Sequence, residues 1–139
     1  MEPVHADTVA TAIKIGNPVN FKKAVRTLKW TNGVVEEVSD QEIMDAKAMI
    51  DRQGLGCEPA SACSLIGVQK LVRKGIIKPH ETVVGILTGH ILKDADAVLQ
   101  YHSDTLEGVH PQYANKLYQS EATIEALSAI LEVREAEPA

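Results

Sequence analysis

The chain has 139 residues, of which 45% are apolar but only 4% aromatic, so its length and composition fit one domain with an aliphatic core. Its net charge of −5, with no basic stripe, argues against nonspecific binding to nucleic acid. No apolar run approaches ~18 residues, and the N-terminus has no basic region followed by an apolar one, so the sequence predicts neither a membrane span nor a secretory signal.

Two helices are predicted near the N-terminus. Residues 6–15 suit a short helix that ends at Gly16, a residue typical of the position just after a helix. Asn17 and Pro18 then suit the cap and the first position of a second helix, over 18–30.

A turn at Asn32-Gly33 separates these helices from a short strand, which the valines of 34–38 predict. Ser39 and Glu42 then have the spacing of a capping box, in which each side chain accepts a hydrogen bond from the backbone N–H of the other residue. The box predicts a helix that stops before Gly54.

The central part of the chain predicts a long helix followed by a strand. The helix begins at Pro59 and closes at Gly75, and the small residues of 60–64 would let its first turns pack closely against a neighbour. The continuous apolar run 82–87 is typical of a strand that is covered on both faces, as in parallel sheets.

The remaining elements are a helix over 93–101, an irregular stretch over 103–119 and a last helix over 120–133, and the tail 135–139 is expected to fray. Because strands and helices alternate, the predicted fold class is α/β, with helices packed on a small, mainly parallel sheet. Two strands are too few for a sheet with both faces covered, so further strands are expected from elsewhere.

Two segments could carry chemistry. Thr88 follows the second predicted strand, and open α/β sheets bind ligands beyond the carboxyl ends of their strands. The helix that starts after Glu58 offers free N–H groups to an anion or a polar ring. A satisfied hydroxyl at a strand end, and plain packing of a helix on a sheet, are the alternatives, and the residues alone leave both open.

The cysteines and histidines indicate no metal site. Cys57 and Cys63 lie six positions apart, and neither has a second pair of ligands at zinc spacing. The five histidines show no metal-ligand spacing either. We therefore expect free thiols in a reducing cytoplasm.

Four segments of the chain form a specific series: TVATAIKIGNP (8–18), NGVVEEVSDQEI (32–43), EPASACSL (58–65) and VVGILTGHILKD (83–94). In this order and spacing they resemble the C-terminal part of threonine synthase, a pyridoxal-phosphate-dependent lyase of the fold type II group. EPxxA alone is shared with serine and threonine dehydratases, but Leu92-Lys93-Asp94 after the TGH turn favours threonine synthase.

The resemblance implies a set of cofactor-binding residues. In this family the hydroxyl at the position of Thr88 hydrogen-bonds the pyridine nitrogen of pyridoxal phosphate, and Gly89 lets the backbone pass close to the ring. Ala12, Glu58 and Ser61 are implied to border the cofactor. The resemblance assigns no role to the lysine and aspartate of the LKD motif, for which ion pairing is the plainer interpretation.

The resemblance also implies what the rest of an enzyme would supply. The lysine that binds the cofactor covalently and the glycine-rich phosphate loop would lie upstream, so no catalytic residue is predicted here and the chain alone is expected to be inactive. Residues 1–102 would be the C-terminal part of the cofactor-binding domain of a fold type II enzyme, and 103–139 a C-terminal extension. The implied substrate is O-phospho-L-homoserine, and a homo-oligomer is expected.

Two other functions stay open from the sequence. One is a related fold type II lyase or dehydratase, which would share the cofactor but not the substrate. The other is a truncated, non-catalytic paralogue that acts through protein–protein association. Stable folding of the chain alone, with its sheet edge buried in an oligomer, would favour the second.

Overall fold

Five α-helices and one 3-10 turn are the regular structure of residues 2–136, the part of the chain that the computed structural model describes. The 3-10 turn comes first and the helices follow in chain order. Their bounds are Thr11–Ile13 for the turn, then α1 (Phe21–Thr31), α2 (Asp40–Arg52), α3 (Pro59–Arg73), α4 (Ala95–His102) and α5 (Ile124–Ala136).

The predicted parallel sheet is not found among residues 2–136, so the sheet of the α/β prediction is not confirmed. Neither 34–38 nor 82–87 forms a strand, and no other residue between 2 and 136 does. Val84 and Ile86 are 82% and 71% exposed, so the apolar run that should be covered on both faces lies at the surface. A strand satisfies its backbone groups only through neighbouring strands, and without them an apolar sequence does not make a sheet.

Residues 34–38 are held by a lysine of α3 and by the lysine that follows its last residue, instead of by a partner strand. The Nζ of Lys70 donates to the Glu37 carbonyl at 2.7 Å, and Lys74 pairs with the Glu36 carboxylate. Val38 packs against the core while Val35 is 71% exposed. The segment is therefore an irregular connection between α1 and α2.

The first predicted helix is reduced to a single 3-10 turn. Thr8 Oγ1 donates to Asp40 at 2.5 Å and Thr11 Oγ1 donates to Asp94 at 2.6 Å. The backbone N–H groups of Val9 and Thr11 bond to the same two carboxylates. A helix from residue 6 would bond the N–H groups of Ala10 and Thr11 to carbonyls one turn back, but these groups donate to Thr8 Oγ1 and Asp94, so residues 6–10 stay non-helical.

The second helix, α1, begins three residues later than predicted, and Asn17 does not cap it. Asn20 occupies the capping position and its side chain makes no capping hydrogen bond. The predicted turn is present, because Asn32 has a φ of 50° and the N–H of Gly33 donates to the carbonyl of Leu28 at 2.8 Å.

The two central helices match their predictions closely. The capping box is confirmed, since Ser39 Oγ accepts from the Glu42 N–H at 3.3 Å and Glu42 Oε2 accepts from the Ser39 N–H at 2.8 Å. Pro59 is the first residue of α3, and Gly75, with a φ of 67°, follows its end.

The C-terminal helices are displaced by a few residues from their predicted bounds. Helix α4 begins two residues later than predicted, and α5 covers 124–136 instead of 120–133. The irregular stretch 103–119 is confirmed. Part of the tail that was expected to fray, 135–136, belongs to α5, and 137–139 lies outside the described residues.

Helix α2 lies at the centre of the core because it buries residues on two faces. One face packs on α3, and the other packs on α4 and the stretch that follows it. The first cluster contains Ala46, Ile50, Cys57, Ala62 and Ile66, and the second contains Met44, Ala48, Tyr101 and Val109. The packing of α2 on α3 fixes the start of α3, where the predicted site residues Glu58 and Ser61 lie.

Candidate functional site

The start of α3 meets the loop that contains Thr88 and Gly89. Glu58 precedes the helix in an extended conformation, and its N–H donates to the Gly89 carbonyl at 3.1 Å. Its own carbonyl accepts from the Ser61 N–H at 3.1 Å. The backbone of Glu58 therefore links the first turn of α3 to the loop.

The hydroxyl of Ser61 is the second link between helix and loop. Its Oγ accepts the N–H of Thr88 at 2.9 Å and the N–H of Gly89 at 3.1 Å. The Oγ1 of Thr88 lies 3.2 Å from the same oxygen. Ser61 is buried, whereas Thr88 is exposed, so a buried serine holds an exposed threonine in place.

Glycine at position 89 is required by a close approach to Glu58. A Cβ at Gly89 would lie 2.0 Å from Glu58 Cδ and 2.0 Å from Oε1. The carboxylate of Glu58 is buried, and any side chain at position 89 would have to displace it. The Gly89 backbone consequently presents a surface without a side chain beside the Thr88 hydroxyl.

Lys93 balances the charge of the buried carboxylate. Its Nζ lies 3.2 Å from Glu58 Oε2, within ion-pair distance, and its side chain is 59% exposed. The approach lacks the alignment of a hydrogen bond, and Oε2 has no hydrogen-bond partner among the described residues. The contact is therefore electrostatic, and one acceptor of Glu58 remains unused inside the site.

Asp94, which follows Lys93, attaches the 3-10 turn to the end of this loop. Asp94 accepts from the N–H and the hydroxyl of Thr11, at 3.3 and 2.6 Å. Ala12 is exposed on that turn, which also contacts α3. Ala12 itself makes none of the hydrogen bonds that join the other four predicted site residues within the described part of the chain.

The structure thus brings Glu58, Ser61, Thr88 and Gly89 into direct contact and leaves Ala12 on an adjoining turn. It adds Thr11, which the sequence analysis did not single out, and it gives Lys93 and Asp94 partners. Thr11 and Asp94 are 83 positions apart, so no local pattern connects them. The sequence offered two weak signals for this contact: Thr11 has a hydroxyl and lies next to Ala12, and Asp94 is the last residue of Leu92-Lys93-Asp94.

The thiols lie outside this cluster. Cys57 and Cys63 are both free, and burial raises the pKa of each thiol. Among residues 2–136, no helix is both long and apolar enough to cross a membrane. The same residues contain no group of three or more histidine, cysteine or acidic side chains that could hold a metal ion.

Comparison with known proteins decides the family. Residues 1–89 match the family described as "Pyridoxal-phosphate dependent enzyme". The chain belongs to this family. Three of its relatives are a threonine synthase of Methanosarcina acetivorans, 51% identical over 94 residues, one of Methanocaldococcus jannaschii, 44% identical over 102 residues, and the chloroplastic threonine synthase 2 of Arabidopsis thaliana, 37% identical over 114 residues.

The matched regions cover most of this chain but little of each relative. They include 67%, 73% and 81% of the chain, and 23%, 25% and 22% of the respective relatives. The chain therefore spans about a quarter of the length of the curated threonine synthases it matches.

The residues of the cluster fit the ring of the family's cofactor. A pyridine nitrogen needs one polar partner at the edge of a flat ring, and the exposed Thr88 hydroxyl offers one. The side-chain-free backbone of Gly89 leaves space for the ring to approach. The buried Glu58 and Ser61 hold both residues from behind, so the partner is fixed before a ligand arrives.

Proposed function

We propose that this chain forms one wall of the pyridoxal phosphate site of a threonine synthase, in which O-phospho-L-homoserine and water give L-threonine and phosphate. The observation that carries the proposal is the exposed Thr88 hydroxyl, held by buried Ser61 next to the side-chain-free backbone of Gly89. The similarity to curated threonine synthases supports the choice of reaction.

In the proposed site Thr88 pairs with the pyridine nitrogen. When bound, the cofactor supplies an electron sink for the carbanion chemistry of amino acids. A neutral hydroxyl does not stabilise a protonated pyridinium as a carboxylate would, so Thr88 limits how much charge the ring withdraws. This favours elimination and addition over transamination.

The neighbouring residues act on the position of Thr88 and on access to the ring. Gly89 lets the ring approach the backbone, and Glu58 holds the Gly89 carbonyl through its own N–H. The Glu58 carboxylate lies in an ion pair with Lys93 beside the loop. Ala12 forms an adjoining part of the wall on the 3-10 turn.

The catalytic groups are proposed to come from outside this chain. No residue here is assigned as the covalent lysine, and the chain alone is proposed to be inactive, with weak or no cofactor binding. Residues 1–102 are proposed to belong to the cofactor-binding domain and 103–139 to an extension. A cytoplasmic location agrees with the two free thiols.

A homo-oligomer is proposed because apolar residues of the segment 82–92 are exposed. Val84, Ile86 and Leu92 are each more than two-thirds exposed. Exposed apolar segments with unpaired backbone groups favour association with another chain. Sedimentation velocity at rising protein concentration tests this, and a monomer at every concentration would contradict it.

A chimera tests the proposed function. This chain would replace the segment that it matches in the Methanosarcina acetivorans threonine synthase, and phosphate release from O-phospho-L-homoserine would be measured. We expect turnover, and we expect Thr88→Ala to lower it by roughly ten- to a hundredfold, since one hydrogen bond of about 1–3 kcal/mol is lost. Thr27→Ala, at an exposed position of α1, is the matched control and should change nothing.

Two outcomes would contradict the proposal. If the folded chimera binds pyridoxal phosphate but acts only on serine or threonine, the related dehydratase is the better assignment. If Thr88→Ala keeps the unaltered rate and cofactor affinity, then Thr88 does not face the ring.

A further inference from the structure

A cleft of 840 Å³ lies between the second half of α2, the end of α4 and residues 112–115. Its volume is within the range of about 300–1,000 Å³ that is usual for small-molecule sites. None of its lining residues belongs to the cluster around Thr88. What this cleft binds is therefore a separate question from the proposed function.

The outer wall of the cleft is fixed by side chains of α2 and α4. Four backbone N–H groups between residues 110 and 115 donate to these side chains, at distances between 2.7 and 3.2 Å. The bonds join His110 to Gln41, Gln112 to Asp45, Tyr113 to Tyr101 and Asn115 to His102. Because the anchors hold the backbone at nearly every second residue or closer, the cleft keeps its shape without a ligand.

The carboxylate that lines the cleft already has partners. Asp51 Oδ2 accepts from the Nζ of Lys47 at 2.6 Å, and its Oδ1 accepts from the Cys57 N–H at 3.4 Å. Lys47 is only 1% exposed, so water screens this ion pair less than it would screen a pair at the surface. A cationic ligand would have to compete with Lys47 for Asp51.

The cleft also contains N–H donors that have no acceptor among residues 2–136. The guanidinium of Arg52 makes no hydrogen bond or ion pair there. Burial lowers the pKa of His102 below its usual value near 6.5, so the ring is neutral at pH 7, and its Nδ1 accepts from the Asn115 N–H. The ring proton is therefore on Nε2. Asn115 Oδ1 accepts from the Lys116 N–H at 3.0 Å, which leaves the Asn115 side-chain NH₂ as a donor.

We propose that this cleft binds a small ligand through an oxyanion, either a carboxylate or a phosphate group, with Arg52 as the charged anchor and His102 and Asn115 as neutral donors. Since Asp51 is paired with Lys47, the charge of Arg52 is the one that lacks a counter-charge among the lining residues. A guanidinium presents parallel N–H groups that match two oxygens of a carboxylate or a phosphate. An oxyanion would displace only water from these donors.

NMR titration of the ¹⁵N-labelled full chain tests the ligand class. Sodium phosphate, sodium acetate and methylammonium chloride would be added separately at constant ionic strength, and the Arg52 Nε–H and His102 ring signals would be followed. We expect both signals to shift and saturate with phosphate or with acetate, with a Kd of about 1–10 mM. The tighter of the two identifies the preferred oxyanion. Saturation by methylammonium at equal concentrations, or by none of the three probes, would overturn the proposal.

Two arginine variants separate the cleft from the net charge of the chain. Arg52→Gln should raise the Kd of the bound oxyanion by about tenfold or more, the loss expected for a charge-assisted hydrogen bond. Arg73→Gln, at an exposed position of α3 outside the cleft, makes the same change in net charge and should leave the Kd unaltered. Both arginines are exposed, so neither substitution disturbs the core. Equal weakening in the two variants would mean that the anion responds only to net charge, which would overturn the proposal.

A conservative variant and the His102 ring test how the donors act. Arg52→Lys keeps the charge but loses the planar fork, so its Kd should lie between those of the parent and Arg52→Gln. Before any anion is added, long-range ¹H–¹⁵N spectra at neutral pH should show a neutral His102 ring with its proton on Nε2. A lysine variant as weak as the glutamine variant would show that charge alone does not anchor the ligand, which supports the fork. A proton on His102 Nδ1 would overturn the donor role of that ring.

Discussion

The helix pair α2 and α3 and the segment 82–92 are two regions rich in aliphatic side chains. The helices bury these side chains, whereas the segment exposes them. Ile43 on α2 is 2% exposed and Ala62 on α3 is fully buried. Ile86 and Leu92 are 71% and 76% exposed. The helices form the core of the described structure, whereas the segment is an apolar surface.

The difference arises from where each region finds its backbone partners. A helix bonds its own N–H and C=O groups, and α2 also has a complete capping box. The N–H and C=O groups of 82–87 bond to no other described residue. The two regions therefore differ in how much they depend on contacts from outside, and this predicts different responses to mutation.

The largest expected effect is the contrast between two isoleucine truncations. Ile43→Ala should lower the free energy of unfolding by about 2–5 kcal/mol, because it leaves a cavity at a buried position. Ile86→Ala should change it by less than about 0.5 kcal/mol, because the side chain is already in solvent. Urea unfolding of both variants measures the difference. Equal losses would mean that the segment is covered in solution, and the comparison would fail.

A pair of glycine substitutions compares α3 with the loop that it holds. Gly89→Ala should destabilise by about 1–3 kcal/mol, since the new Cβ would overlap the buried Glu58 carboxylate. Gly67→Ala should stabilise by about 0.5–1 kcal/mol, because that glycine lies inside α3 with open space around it. Thermal unfolding of the two variants is the measurement. A stable Gly89→Ala chain would show that the loop does not press on Glu58.

The sequence was most informative where structure depends on neighbouring residues. The capping box of α2 and the proline start of α3 are local signals, and both are present. The 82–87 strand was predicted from the same kind of apolar pattern, but a strand needs partners that the pattern does not contain. Helix 6–15 was lost to Asp40 and Asp94, which are distant along the chain.

The candidate site also combines residues that local motifs predicted with contacts that they did not. Thr88, Gly89, Glu58 and Ser61 were found through short motifs, and the structure brings these four together. The pairing of Glu58 with Lys93 links two motifs that are adjacent only in the fold. Such contacts follow from tertiary packing, so a sequence without its fold does not reveal them.

Removing one hydroxyl tests the second face of α2. Tyr101 is buried, and its hydroxyl donates to Asp45 Oδ1 at 2.5 Å and accepts from the Tyr113 N–H at 3.2 Å. Tyr101→Phe leaves the Tyr113 N–H unpaired and removes one of the two donors of Asp45 Oδ1, which keeps the Gln112 N–H, so it should cost about 1–3 kcal/mol. Tyr113→Phe, at a position that is 42% exposed, is the control and should cost less.

The same tyrosine predicts a dependence of stability on pH. Burial, together with the hydrogen bond to Asp45, raises the pKa of Tyr101 above its usual value near 10. The neutral phenol is favoured in the folded chain, so its stabilisation is complete below pH 10 and is lost as the pH rises. The parent should therefore lose up to about 1.4 kcal/mol more per pH unit above 10 than Tyr101→Phe does. Parallel curves for the two proteins would contradict the shift.

The smallest expected effect compares the starts of two helices. Ser39→Ala removes the capping hydrogen bond of α2 and should cost about 1 kcal/mol. Asn20→Ala, at the corresponding position of α1, should cost less than about 0.5 kcal/mol, because the Asn20 side chain makes no capping bond. Chemical denaturation of both variants at equal protein concentration measures the difference.

Since each change is local, neither should alter amide exchange in 82–92. A loss at Asn20 as large as that at Ser39 would mean that α1 is capped in solution. Helix α1 buries none of its residues. Like α2, and unlike the segment 82–92, it would then satisfy its backbone groups with partners of its own.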